Sequence, residues 1–193
     1  AYTGRVEWLP LGTFRDNGDY SEGDLAFEPL PRISLAFTYS HNRKAGRTGG
    51  QLGALLPLPS DINTRIGDLM FKYNGWAVLA EYFGRRASRP VSAEADSSGV
   101  RYVYEGTGFN GQLGRMIGRK TEVAGRYTRV VPRVSIASLT RPTEELQLGV
   151  THYLRGHRIK AQGHVGYRWY AYRPALSAPG NYWMGMVQIE FGI

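Results

Sequence analysis

The chain has 193 residues, no cysteine, and 24 Lys and Arg against 16 Asp and Glu, a net charge of +8. That length fits a single domain over 1–193; the missing cysteine argues against a disulfide framework or a thiolate metal site, and no run of 18 apolar residues exists to form a transmembrane helix. The basic residues are dispersed over strand ends, turns and polar positions rather than gathered on one surface, which speaks against nucleic acid as a partner.

Side chains alternate across a β-strand with period two, so a segment with one apolar and one polar face reads as a strand. Ala1 to Leu9 looks like the end of one, with Val6 and Trp8 against Arg5 and Glu7. Pro10 to Pro31 is a connection rich in Gly, Asp and Pro. Arg32 to His41 then sets Ile33, Leu35, Phe37 and Tyr39 against Ser34, Ala36, Thr38 and Ser40. A long loop carrying Arg43, Lys44 and Arg47 is expected from Asn42 to Ile62. The strand Asn63 to Tyr73 places Leu69, Phe71 and Tyr73 opposite Asp68, Met70 and Lys72. Asn74-Gly75 is a strong hairpin signal, because both positions tolerate positive φ. Its second arm, Trp76 to Arg85, shows Trp76, Val78, Ala80 and Tyr82 against Leu79, Glu81 and Arg85.

A polar loop is expected from about Arg86 to Gly106, followed by strands over Thr107 to Ile117 and Thr121 to Val131 around a short turn at 118–120. The second of these puts Val123, Gly125 and Tyr127 against Arg126 and Thr128. A loop from Pro132 to Thr143 leads to the strand Glu144 to Leu154, with Leu146, Leu148 and Val150 on one face. After a turn at Arg155 to His157 comes a closing hairpin over Arg158 to Ile193 with its loop at about 173–181. There Val165, Trp169, Trp183, Val187, Ile189 and Phe191 face one way, and Lys160, Arg168 and Glu190 the other, and the chain stops in phase on apolar Ile193.

Arms of eleven or twelve residues are about twice the usual globular strand and match a strand tilted across a bilayer. Short connections alternate with long ones, as in outer-membrane barrels, except that Pro10 to Pro31 is long where a short turn is due. The pattern therefore predicts an all-β, transmembrane antiparallel β-barrel. Leu35, Phe37, Leu69, Phe71, Val78, Leu148, Val165, Val187 and Ile189 would face lipid, and Tyr73, Trp76, Tyr82, Trp169, Trp183 and Phe191 would form aromatic girdles. Arg115, Arg129 and His152 break the apolar face, but near strand ends, where a long side chain reaches the interface cheaply. The rival is a soluble, lipocalin-like barrel with the apolar face inward, since period two alone does not say which face points in. Nine strands are visible, and single-chain bacterial barrels have even counts, so the sequence reads as the C-terminal part of a larger barrel. No signal peptide opens it, as in a mature product or a fragment.

The charged residues on the polar face are Arg5, Glu7, Asp68, Lys72, Glu81, Arg85, Arg126, Lys160, Arg168 and Glu190, six basic and four acidic. They would line an aqueous lumen with a slight preference for anions, or simply pair across the strands. Adding strand-end Arg32, Glu122 and Glu145 makes the balance seven to six. No catalytic constellation, metal site or cofactor is expected. His41, His152, His157 and His164 share no ligand spacing, and Gly106, Gly108 and Gly111 spell G-x-G-x-x-G ahead of a strand rather than a phosphate-binding helix.

The stretches GRVEWLP, DYSEGDLAFEPLPRISLAFTYSHN, GRTGGQLG, DINTRIGDLMFKYNGWAVLAEYF, GTGFNGQLG, EVAGRYT and LGVTHYLRGHRIKAQGHVGYR, in this order, resemble the phosphate-selective porin O and P family. The resemblance covers most of the chain. It implies a barrel of about sixteen strands, of which this chain matches the later ones, usually trimeric, in the outer membrane of a Gram-negative bacterium. It also implies passage of small solutes, with anion or phosphate preference in the best-known members. Their phosphate-selective residues belong to the other half and are carried over to no position here. The usual terminal Phe is replaced by Ile193, with Phe191 two residues before it. The expected function is passive diffusion of small hydrophilic solutes. The expected partners are outer-membrane lipid, solutes or anions, and further copies or a larger membrane complex. The alternative is a plugged or structural barrel subunit of such a complex.

Overall fold

In a computed structural model, the described residues are 1–16, 23–96, 99–172, 176 and 180–192, with backbone only at 92–96 and 99. They form one antiparallel nine-stranded sheet of β1 (Tyr2–Trp8), β2 (Arg32–Arg47), β3 (Leu55–Tyr73), β4 (Trp76–Ala87), β7 (Gly106–Ile117), β8 (Thr121–Pro132), β9 (Thr143–Arg155), β10 (Ile159–Tyr170) and β11 (Tyr182–Phe191). A separate small hairpin, β5 (Val91–Asp96) and β6 (Gly99–Tyr102), lies in the connection between β4 and β7. Each large strand pairs with its chain neighbours, β1 only with β2 and β11 only with β10, so the sheet is open with two free edges. No helix among the described residues is long and apolar enough to cross a membrane, which says nothing about strands.

Residues two apart share a face, and the register carries each face across the whole sheet. Ile33, Phe71, Val78, Leu113, Gly125, Leu148, Val165 and Gly185 are successive cross-strand partners on the apolar face. Glu7, Ala36, Asp68, Glu81, Asn110, Thr128, Glu145, Arg168 and Tyr182 form an equivalent row on the polar face. Burial runs opposite to that of a water-soluble domain. Val187 is 86 % exposed, Ile189 61 % and Leu148 59 %, whereas polar-face Lys72 is 2 % exposed and Glu122 4 %. Buried Ala77, Met116 and Tyr153 lie on the polar face too, and Phe14 packs in the connection that crosses it.

Two loops expected from the sequence are partly strand. The stretch 42–62 is a loop only over 48–54, because the β2–β3 ladder continues through register shifts at Asn42, Ala45 and Arg47. Arg43, Lys44, Arg47 and His41 thus sit in β2, with Lys44 at φ +50 absorbing the irregularity. Ala45 and Ile62 bury against Val103 there, with Leu56 and Ala87 around them, and that cluster supports the extended arms. The expected polar loop 86–106 holds the β5–β6 hairpin. The short turn after β9 occupies 156–158, one residue later than expected, and the turns at 74–75 and 118–120 stand as read. Ile193 and most of the 173–181 loop lie outside the described residues.

Candidate functional site

The polar face is the chemically equipped side of the sheet. All ten charged residues singled out from the sequence lie on it by register, and most are tied into cross-strand bonds. Arg5 on β1 reaches past β2 to grip Asp68 on β3 through two nitrogens, at 2.6 and 2.8 Å. Arg168 on β10 contacts Glu145 on β9 at 2.5 and 2.6 Å and donates to the Tyr182 hydroxyl at 2.9 Å. Lys160 meets Glu190 on β11 at 3.2 Å. Arg85 donates to Thr64 Oγ1 at 3.1 Å, Arg126 to Gln112 Oε1 at 2.8 Å, and Asn110 to Glu81 at 3.2 Å. Glu7 accepts from Ser34 at 2.5 Å. Arg5, Lys160 and Arg168 are thus matched by carboxylates across the strands, so much of the charge on this wall is held in cross-strand pairs. A hollow of about 500 Å³ on it is lined by Arg126, Lys160, Glu190, Gln147, Gln162 and His164 among others.

The connection between β1 and β2 completes the site at the short-turn end. Instead of staying outside, its described parts fold onto the polar face. Lys72 donates to the Gly23 carbonyl at 2.8 Å and lies over the Phe14 ring, 6.0 Å from its centroid. Asp24 is 2 % exposed, and its carboxylate accepts from the Gly75 N–H at 2.6 Å and the Glu28 N–H at 3.0 Å. The Asn74 N–H donates to the Glu28 carbonyl at 2.9 Å, so the β3–β4 turn is held from both sides. Gly75, at φ +78, has the Phe27 ring where a Cβ would stand, at 2.9 Å. A Cβ on Gly23 would lie 2.6 Å from the Tyr153 hydroxyl, which itself donates to Glu122 at 2.6 Å. The segment therefore bridges from β3 towards the 156–158 turn, over a hollow of about 250 Å³ that includes His157. Partial burial, with Lys72 and Lys160 nearby, lowers the His157 pKa.

Asp24, Glu28 and Tyr153 were not singled out as site residues from the sequence. The signal that could have found them is the set of apolar residues, Phe14, Leu25 and Phe27 among them, inside a Gly-, Asp- and Pro-rich connection, together with acids that a solvated loop has no reason to bury.

On the opposite face, the residues predicted to face lipid lie together by register, Leu35, Leu69, Phe71 and Val78 half-buried and the others exposed. Of the predicted girdle, Tyr73, Trp76, Trp169, Trp183 and Phe191 lie at strand ends, whereas Tyr82 sits mid-strand in β4. Trp169 lies 6.4 Å from Tyr127 and 6.0 Å from Tyr167, and Tyr167 is 4.9 Å from Trp183. At the short-turn end, Trp76 holds Arg115 over its ring at 4.9 Å, while the guanidinium donates to the Asn74 carbonyl at 2.5 Å. Arg129 pairs with Glu144 at 3.9 Å, and His152 bonds Thr121 at 3.0 Å. Arg115, Arg129 and His152 are thus satisfied near the margins of the apolar face. The four histidines do not converge, and among the described residues no group of three His, Asp or Glu could hold a metal. No protein-family model, curated protein or solved structure matches the chain.

Proposed function

We propose that this chain is the C-terminal part of an outer-membrane β-barrel porin. In this reading the polar face lines a water-filled pore for small hydrophilic solutes, with a weak preference for anions such as phosphate. The observation that carries it is the inverted burial: the apolar row is half-buried over β2 to β4 and mostly exposed from β7 to β11, while buried carboxylates and Lys72 are hydrogen-bonded on the other side. In water such a face costs about 25 cal/mol per Å² of exposed apolar surface, whereas in hydrocarbon it costs nothing. A lipocalin-like barrel would bury Leu148 and Val187 and expose Lys72 and Glu122, the reverse of what is seen. The free edges of β1 and β11 are where the remaining strands of a closed wall, about sixteen in all, would pair, in this chain or another. The same wall would sit among outer-membrane lipids in a homo-oligomer such as a trimer, or in a larger complex. No catalysis is assigned to it.

One observation favours a second reading, a plugged structural subunit: the described parts of the β1–β2 connection lie against the polar face, fixed there by Lys72, Gly75 and Asp24. Conductance of the purified full-length protein in planar bilayers separates the two. Stepwise, ohmic channels with a modest anion bias support the porin; a folded, inserted protein that passes no current supports the plug.

A further inference from the structure

A cleft of about 880 Å³ lies on the apolar face at the end where the long connections emerge. Phe37, Tyr39 and Tyr82 wall it, and Gly67 and Gly84 form its floor. A Cβ built on either glycine meets nothing within 4 Å, so the floor is open rather than packed. Arg65, Arg86 and Arg133 stand around it, all exposed. Among the described residues none of the three is ion-paired, in contrast to Arg115 and Arg129, which sit on the same face with partners.

Three unpaired cations beside an aromatic and glycine-floored trough match an amphiphile with a multiply anionic head and apolar chains. Guanidinium groups suit phosphate oxygens, which they can hold with two parallel bonds. We infer that this cleft binds a phosphorylated, acylated glycolipid of the outer leaflet, its phosphates on Arg65, Arg86 and Arg133 and an acyl chain over Gly67 and Gly84. The site rests on the porin reading, which turns the cleft towards lipid and places the long-loop end in the outer leaflet. A zwitterionic phospholipid carries one phosphate balanced by its own ammonium, and three cations would leave charge unmatched on it.

The test uses the full-length protein in mild detergent, native mass spectrometry, and bis-phosphorylated lipid A as the added probe. The wild type is expected to bind the probe one to one, and phosphatidylethanolamine is expected not to displace it. Arg65→Gln/Arg86→Gln/Arg133→Gln should weaken binding at least about tenfold, since each charge-assisted bond lost removes roughly that factor. Gly84→Leu, with all three arginines intact, should weaken it by filling the floor, and keeps the proposal testable should the triple variant fold poorly. Equal binding by the wild type and either variant, or equal competition by phosphatidylethanolamine, would overturn the site. A wild type that inserts and conducts yet binds no lipid A sinks the site alone. One that stays monodisperse without detergent sinks the porin reading, and the site with it.

Discussion

Leu148 is the most informative position on the apolar face. It sits near the middle of β9, 59 % exposed, flanked by Gly125 on β8 and Val165 on β10. Arginine there has three distinct prices according to what lies outside. If water does, the exposed site accommodates it with a change within about 0.5 kcal/mol, as at ordinary surfaces. If hydrocarbon does, the cost at the midplane is about 2–4 kcal/mol, or about 30- to 900-fold in the folded-to-unfolded ratio. If a protein core covered Leu148, every position on that face would be penalised whatever its height along the strand. Ile117, the last residue of β7 beside the 118–120 turn, separates the last two cases. In a bilayer Ile117→Arg lies at the interface and should cost only about 0–1 kcal/mol. Gln162→Arg, on the polar face opposite Thr151, supplies the control and should stay within about 1 kcal/mol. Denaturant titration of the full-length protein folded into lipid vesicles gives all three numbers. Equal tolerance of Leu148→Arg and Gln162→Arg would refute the membrane orientation, and equal loss at Leu148 and Ile117 would refute the depth argument.

Asp24→Ala should leave the Gly75 and Glu28 N–H groups without their acceptor, costing about 1–3 kcal/mol for each, lowering the thermal midpoint and raising single-channel conductance as the segment loosens; unchanged values of both would show that Asp24 does not clasp it. Gly75→Val should cost more than 1 kcal/mol, since it meets both the positive φ and the Phe27 ring, and an undiminished midpoint would contradict that packing. Tyr104 has a buried hydroxyl with no partner among the described residues, and burial first, then Tyr102, pushes its pKa up to about 12. Tyr104→Phe should therefore leave the midpoint unchanged or raise it, and a clear drop would reveal a bond not seen here. The His157 pKa is lowered in the fold, so below the usual imidazole value near 6.5 the unfolded chain binds more protons and stability falls as pH drops through that window. His157→Gln should flatten that part of the stability–pH profile, measured by thermal unfolding in detergent.

What was legible in the sequence is what two-fold alternation and turn chemistry encode. Leu35, Phe37, Leu69 and Phe71 announce one face, Asp68 and Lys72 the other, and Asn74-Gly75 the turn between β3 and β4, with φ values of +45 and +78 at those two residues. Alternation fails wherever the ladder itself is irregular. Pro57 and Pro59 lack N–H groups, and the register shifts near Ala45 throw residues onto the other face, so the outer arms of β2 and β3 looked like loop. The β5–β6 hairpin escaped because its strands, Val91–Asp96 and Gly99–Tyr102, are too short for parity to rise above composition.

The connection between β1 and β2 was illegible for a different reason, and it matters most for function. A segment rich in Gly, Asp and Pro reads as solvated, and its visible oddities were its length at the wrong end and the apolar Phe14 and Phe27. What turns it inward is a set of partners distant in sequence: Lys72 beside the Asn74-Gly75 turn, and the Glu122–Tyr153 pair from β8 and β9. Lys72 on an otherwise wet wall would be an ordinary pore charge. Bound to the Gly23 carbonyl and lying over Phe14, it anchors the described parts of the β1–β2 connection against the polar face. In the porin reading, solute passage would depend on how firmly that segment is held as well as on the charge of the wall, so Asp24→Ala would probe such a pore as directly as any change to Arg126 or Lys160.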